Sequence, residues 1–249
     1  MKTIEFRSLK KSLMIFGFSL MTTVSFAQQT TTSNSSATPT AIGTTKTWGS
    51  IDGVQMIGMV QGPSAANAEL QVACVFEYTE GDIFVSPPAL PAALNGLVHL
   101  DEALKGKLTE IRKTGEFKGH ALETLLLTPP TKTLGARKLL LIGLGDRNKF
   151  TPELMISVGE IATREALKLG VSNFAFASDL KDAGIDSPTA LVAGNVVRGV
   201  VNEYRTQNIL KSQKLTTFKP LNKVFLLAGP SFFTVAGGGI AEAIAQYKN

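Results

Sequence analysis

The chain has little of what most catalytic centres are made from. Among its 249 residues there is one cysteine, Cys74, and there are two histidines, His99 and His120. A lone cysteine forms no intramolecular disulfide. Cys74 lies in an apolar run from Leu70 to Phe76 and reads as a buried structural thiol. A water-activating metal needs three or more N, O or S ligands converging on one point, which two histidines do not announce. His99 precedes Leu100-Asp101-Glu102 on a predicted helix and His120 follows a glycine, so both read as surface or capping residues. Asp101 and Glu102 are adjacent, so their side chains diverge around a helix and read as a solvated face. No Gly-x-Ser-x-Gly elbow occurs, which leaves a serine nucleophile unsupported. No catalytic residue, metal ligand or cofactor is assigned.

Long apolar runs are also scarce. The longest, Ser12 to Phe26, falls short of the ~20 residues that span a bilayer. It follows Lys2, Arg7, Lys10 and Lys11 and ends in Ser25-Phe26-Ala27, with small residues at the two positions a signal peptidase reads. Residues 1–27 are therefore expected to be a signal peptide cut after Ala27, with a retained anchor as the alternative. The protein is expected to be exported, to a periplasm or to the medium. Residues 1–27 hold four Lys/Arg and one Glu, and their removal takes the net charge from +5 to +2. A surface this balanced gives no reason to expect nucleic acid as a partner. The locally basic stretch Lys211 to Lys223 reads as a solvated loop.

Residues 28–47 are rich in Thr, Ser, Ala and Gln, with almost no charge and no apolar period, and read as a flexible tether. The remaining stretch, 48–249, alternates strand and helix signals. Strands are expected at Val54–Val60, Leu70–Phe76, Asp82–Val85, Leu122–Leu127, Lys138–Leu144, Asn173–Ala177 and Val224–Leu227. Helices are expected over Leu97–Lys113, from the Thr151-Pro152 start to Leu169, over Thr189–Tyr204, and from near Gly239 to the end. The continuous apolar run Lys138–Leu144 suits a strand covered on both faces. The fold class is α/β, a central sheet with helices on both faces.

Several segments come in a fixed order. They are Gly115-Glu116-Phe117-Lys118-Gly119, Glu123 to Leu127, Arg137 to Gly145, Phe150-Thr151-Pro152-Glu153, Ala162 to Leu167 and Val192-Ala193-Gly194. Together they resemble the N-terminal domain of the peptidase M17 family, the leucyl (cytosol) aminopeptidases, over nearly all of 48–249. The resemblance implies a macro-domain-like fold with a mixed sheet. In the family this domain precedes a catalytic domain with two divalent metals, commonly zinc or manganese, held by a Lys and several Asp/Glu. One ligand pair lies in an Asn-Thr-Asp-Ala-Glu-Gly-Arg segment that does not occur in this sequence, so no catalytic position is carried over. The resemblance implies a non-catalytic binding, assembly or regulatory module, whose partner is another protein or a second copy. A split metalloaminopeptidase and a macro-type binder of ADP-ribose-like ligands are the alternatives.

For that last alternative, Gly237, Gly238 and Gly239 are the candidate phosphate loop, with Gly143-Leu144-Gly145-Asp146 as a lesser one. The second lacks a third glycine and reads better as a strand-end turn. Phe232, Phe233 and Val235 are candidates for an exposed apolar interaction face, or for packing on the sheet.

Overall fold

A computed structural model describes residues 39–85 and 90–248. The signal segment and most of the expected tether lie outside the described residues. The tether ends earlier than the composition suggests. Residues 45–47 already belong to β1 (Thr45–Ile51), which pairs antiparallel with β2 (Val54–Val60). Thr40 N–H donates to Pro230 O and Gly43 N–H to Val60 O, so the chain is tied down before β1 begins.

Among the described residues seven strands form one mixed sheet, in the order β1, β2, β7 (Lys223–Ala228), β6 (Asn173–Ala177), β3 (Leu70–Val75), β5 (Lys138–Gly143) and β4 (Thr124–Leu127). β2, β7, β6, β3 and β5 run parallel. β1 and β4 are antiparallel edges. Every residue of β3 is buried, as are all but the first of β5 and of β6. That is why these strands read as apolar runs with no alternation.

Helices cover both faces. On one, α4 (Leu154–Lys168), α5 (Thr189–Ser212) and α6 (Phe233–Gln246) pack on Val72, Cys74, Ile142, Phe174 and Phe176. On the other, α2 (Gly96–Ala103) and α3 (Lys107–Thr114) pack on Ala73, Val75, Leu139 and Leu141. Among the described residues no helix is long and apolar enough to cross a membrane.

Several expectations are corrected. Asp82–Val85 is a helical turn, α1, and not a strand. Its Asp82 carboxylate receives both terminal nitrogens of Arg112, an ion pair that fixes the turn against α3. The single helix expected over Leu97–Lys113 is two, because Lys105 and Gly106 both adopt positive φ, 57° and 78°. Asp101 at the end of α2 is buried rather than solvated. It accepts from Thr109 N–H (3.1 Å) and Thr109 Oγ1 (2.6 Å), and so caps α3. α5 runs on to Ser212, taking in the start of the basic stretch, and α6 begins six residues before Gly239. The Thr151-Pro152 start opens a turn whose carbonyls receive Leu154 and Met155 N–H, one turn ahead of the assigned α4.

Candidate functional site

The parallel strands set up the site. From β3 the chain crosses to β5 on one side, then returns through α4 to β6 on the other side of β3. β3 and β6 are thus neighbours whose connections leave in opposite directions, and a crevice opens at their carboxyl ends. A cavity of about 350 Å³ lies there. Its floor is Val60, Phe176, Ala177 and Leu226 at the strand ends, and its walls are the first turns of α5 (Val192, Ala193, Val196) and α6 (Phe232, Ala236). Ile42 and Leu94, 74% and 68% exposed, stand at its margin.

One wall of this largely apolar space is acidic. The loop after β6, Ser178-Asp179-Leu180-Lys181-Asp182, carries two carboxyl groups into the lining. Asp179 has φ of 53°, the left-handed region that Asp tolerates better than most residues. In that conformation its Oδ2 accepts from Cys74 N–H at 3.1 Å. β6 pairs with β3 only as far as Ala177 opposite Ala73, so the Asp179 side chain takes the next rung of the ladder. Asp182 Oδ2 accepts from Gly96 N–H (3.0 Å) at the start of α2, and its carbonyl accepts from Asn95 Nδ2 (3.1 Å). Asn95 also caps α2, its Oδ1 accepting from Leu97 and Val98 N–H.

Burial, and then the nearby Asp182 charge, push Asp179 well above the usual carboxylate range. Burial raises Asp182 too. His99 joins the lining from α2. Lys181 donates to Asp186 Oδ1 (2.9 Å) and Ser187 O (3.1 Å), with its ammonium 5.7 Å from the Phe232 ring centroid.

Both wall helices present unpaired N–H groups. The first helical bond of α6 runs from Ala236 N–H to Phe232 O, which leaves Phe233, Thr234 and Val235 N–H without an intrahelical acceptor. In α5 the first bond is Val192 N–H to Pro188 O, which leaves Thr189, Ala190 and Leu191.

The glycine candidates do not build a phosphate loop. Gly237, Gly238 and Gly239 lie in the second turn of α6, where a helix uses its N–H groups internally. Two of them are there for close approach. A Cβ on Gly237 would lie 1.9 Å from the Trp48 ring, and one on Gly239 would lie 1.9 Å from Ala190 O of α5. Gly143 to Asp146 is a strand-end turn, as expected, with Asp146 Oδ1 accepting from Asn148 N–H.

Nor do Phe232, Phe233 and Val235 form one exposed face. Phe233 is 6% exposed and packs on Trp48, Phe232 lines the cavity, and Val235 is exposed. His120 sits on the surface, 2.8 Å from Glu77, and is not among the residues that line the cavity. Among the described residues no group of three or more His, Cys, Asp or Glu could hold a metal ion. The acidic loop was missed from sequence. The signal that could have found it is an Asp-x-x-Asp spacing directly after a fully buried parallel strand.

Residues 83–214, more than half of the chain, match the family model for the N-terminal domain of the cytosol aminopeptidase family. A probable cytosol aminopeptidase of Roseiflexus castenholzii is 30% identical over 151 residues, covering 60% of this chain and 30% of that protein. The chain thus spans under a third of the length of that relative. A tomato leucine aminopeptidase mutant superposes with a TM-score of 0.55 at 20% identity, over 85% of this chain and 36% of that one. An Oceanobacillus iheyensis macrodomain with ADP does so at 0.50 and 15% identity, over 82% of this chain and 98% of that one. At such identities the likeness is one of fold, a macrodomain-type α/β sheet. By its matched residues this chain belongs to the cytosol aminopeptidase family, through that family's N-terminal domain.

Proposed function

We propose that this domain is an exported, non-catalytic binding module that holds a small molecule in the cavity at the carboxyl ends of β2, β7, β6 and β3. The observation that carries the reading is the cavity itself. It is about 350 Å³, mainly apolar, and placed where open α/β sheets bind ligands, with a few polar groups converging on one wall. The loop chemistry adds weight, because Asp179 keeps a left-handed backbone and a buried carboxyl in order to line it. The proposal assigns no hydrolytic role to any residue here. Regulation of, or assembly with, a partner peptidase is the setting the family suggests.

Ligand-observed NMR of the full chain with a fragment library tests this. Fragments are expected to bind, and Ala193→Phe, which fills the cavity from α5, is expected to abolish their binding while circular dichroism stays unchanged. Fragment binding that survives Ala193→Phe would sink the reading, as would a library without hits.

A nucleotide is the second reading, favoured by the unpaired N–H groups at the starts of α5 and α6. ADP, the molecule with the Oceanobacillus macrodomain, is the probe for it. ADP binding abolished by Ala193→Phe would put this reading first.

Export rests on the basic start, the apolar stretch and Ser25-Phe26-Ala27. The mature protein recovered outside the cytoplasm is expected to begin at Gln28, and N-terminal sequencing checks it. An intact Met1 in that fraction would instead mark a retained anchor.

A further inference from the structure

We infer that the cavity selects a ligand bearing a primary ammonium group, which sits against Asp179 and Asp182. The inference rests on the cavity reading above and narrows it to a chemical class. An apolar space of about 350 Å³ has room for a compact hydrocarbon body. Its polar wall is unequal in sign. Asp179 is more than nine-tenths buried, and a single backbone N–H, that of Cys74, donates to its carboxyl group. Asp182 likewise has one such donor within hydrogen-bond distance, Gly96 N–H. Both residues thus belong to the cavity lining, with most of the acceptor capacity of their carboxyl groups unmet by hydrogen bonds among the described residues.

The other charged groups around the pair do not meet that capacity. Lys181, on the same loop, is engaged by Asp186 and Ser187 O. His99, from α2, lines the cavity but makes no hydrogen bond to either carboxyl group among the described residues. An ammonium group brings three donors and a charge. It satisfies both acids in their ionised forms, so a proton that burial favours on the acids leaves to solvent as the ligand enters. An alcohol of the same shape brings one donor and no charge, and leaves the proton in place. A carboxylate brings negative charge and no donor to an acidic wall.

The test compares cyclohexylamine, cyclohexanol and cyclohexanecarboxylate by calorimetry on the full chain at neutral pH. Each titration is run in phosphate and in HEPES, which carry no primary amine and whose ionisation enthalpies differ. The amine is expected to bind about tenfold more tightly than the alcohol, or better, with a buffer-dependent enthalpy that reports about one proton released. Asp179→Asn keeps an acceptor for Cys74 N–H and suits a left-handed backbone, so it folds, but it removes the proton release. Asp179→Asn with Asp182→Asn removes the preference for the amine while leaving cyclohexanol binding. Equal or tighter binding of the alcohol or the carboxylate would overturn the inference and leave the cavity reading standing. So would amine binding without proton release, or a preference that survives the double variant. No binding of any of the three would overturn both.

Discussion

The Asp179 carboxylate accepts from the Cys74 amide one residue past the point where β6 stops pairing with β3, although 105 residues separate the two in sequence. A side chain thereby finishes a ladder that the backbone leaves, and the loop that carries it is drawn over the strand ends. Removing the acceptor orphans a buried N–H. Asp179→Ala is expected to cost about 1–3 kcal/mol, read by urea unfolding, and Asp179→Asn much less.

The same residue sets a pH dependence whose sign runs against the usual carboxylate. Its ordinary value is 3.8, and burial holds it well above that in the folded protein. Between the two values the native state binds more protons than the unfolded chain, so the contribution of Asp179 to stability falls as pH rises through that window. Relative to wild type, Asp179→Asn is expected to gain in stability as the pH rises above about 4. Unfolding curves across that range check it; a difference that stays constant, or moves the other way, would contradict it.

Two adjacent glycines of α6 are expected to respond in opposite directions. A Cβ at Gly237 would collide with the Trp48 ring, whereas one at Gly238 meets nothing within 4 Å. Gly237→Ala is expected to lose about 1–3 kcal/mol by overpacking. Gly238→Ala is expected to gain about 0.5–1 kcal/mol, since alanine gives up less freedom than glycine in a helix. Melting temperatures of the pair decide it, and equal effects would mean that Trp48 does not occupy this slot.

Arg112 is 99% buried at its side chain and binds Asp82 and Phe76 O, while its Nε has no partner among the described residues. Arg112→Ala is expected to cost about 3–5 kcal/mol because it leaves Asp82 facing the interior unpaired. Arg112→Lys is expected to recover only part of that, since an ammonium cannot reproduce the two-pronged contact. Denaturant unfolding separates the two.

The central strands were legible in sequence because burial on both faces writes itself as a continuous apolar run, and β6 has the expected bounds, Asn173–Ala177. α6 was misplaced for a physical reason. Three consecutive glycines read as a break, yet two of them, Gly237 and Gly239, let the helix approach Trp48 and Ala190, so tertiary packing overrides propensity. α5 was cut short because its apolar period fades after Tyr204, where the helix runs on with exposed residues such as Ile209. The acidic wall was not legible. Asp179 and Asp182 gain their meaning from Cys74 and Gly96, 105 and 86 residues away, and no local pattern encodes either meeting.

Trp48 is the sole tryptophan of the chain, and it is seated between Gly58 of the opening hairpin and Gly237 of the closing helix. Its emission therefore reports one event, the docking of the last element on the first. That contact has nearly the greatest sequence separation the domain allows, so its loop-closure entropy is recovered only once the intervening sheet exists. Stopped-flow fluorescence would follow the closing of the domain, while circular dichroism follows the formation of its secondary structure.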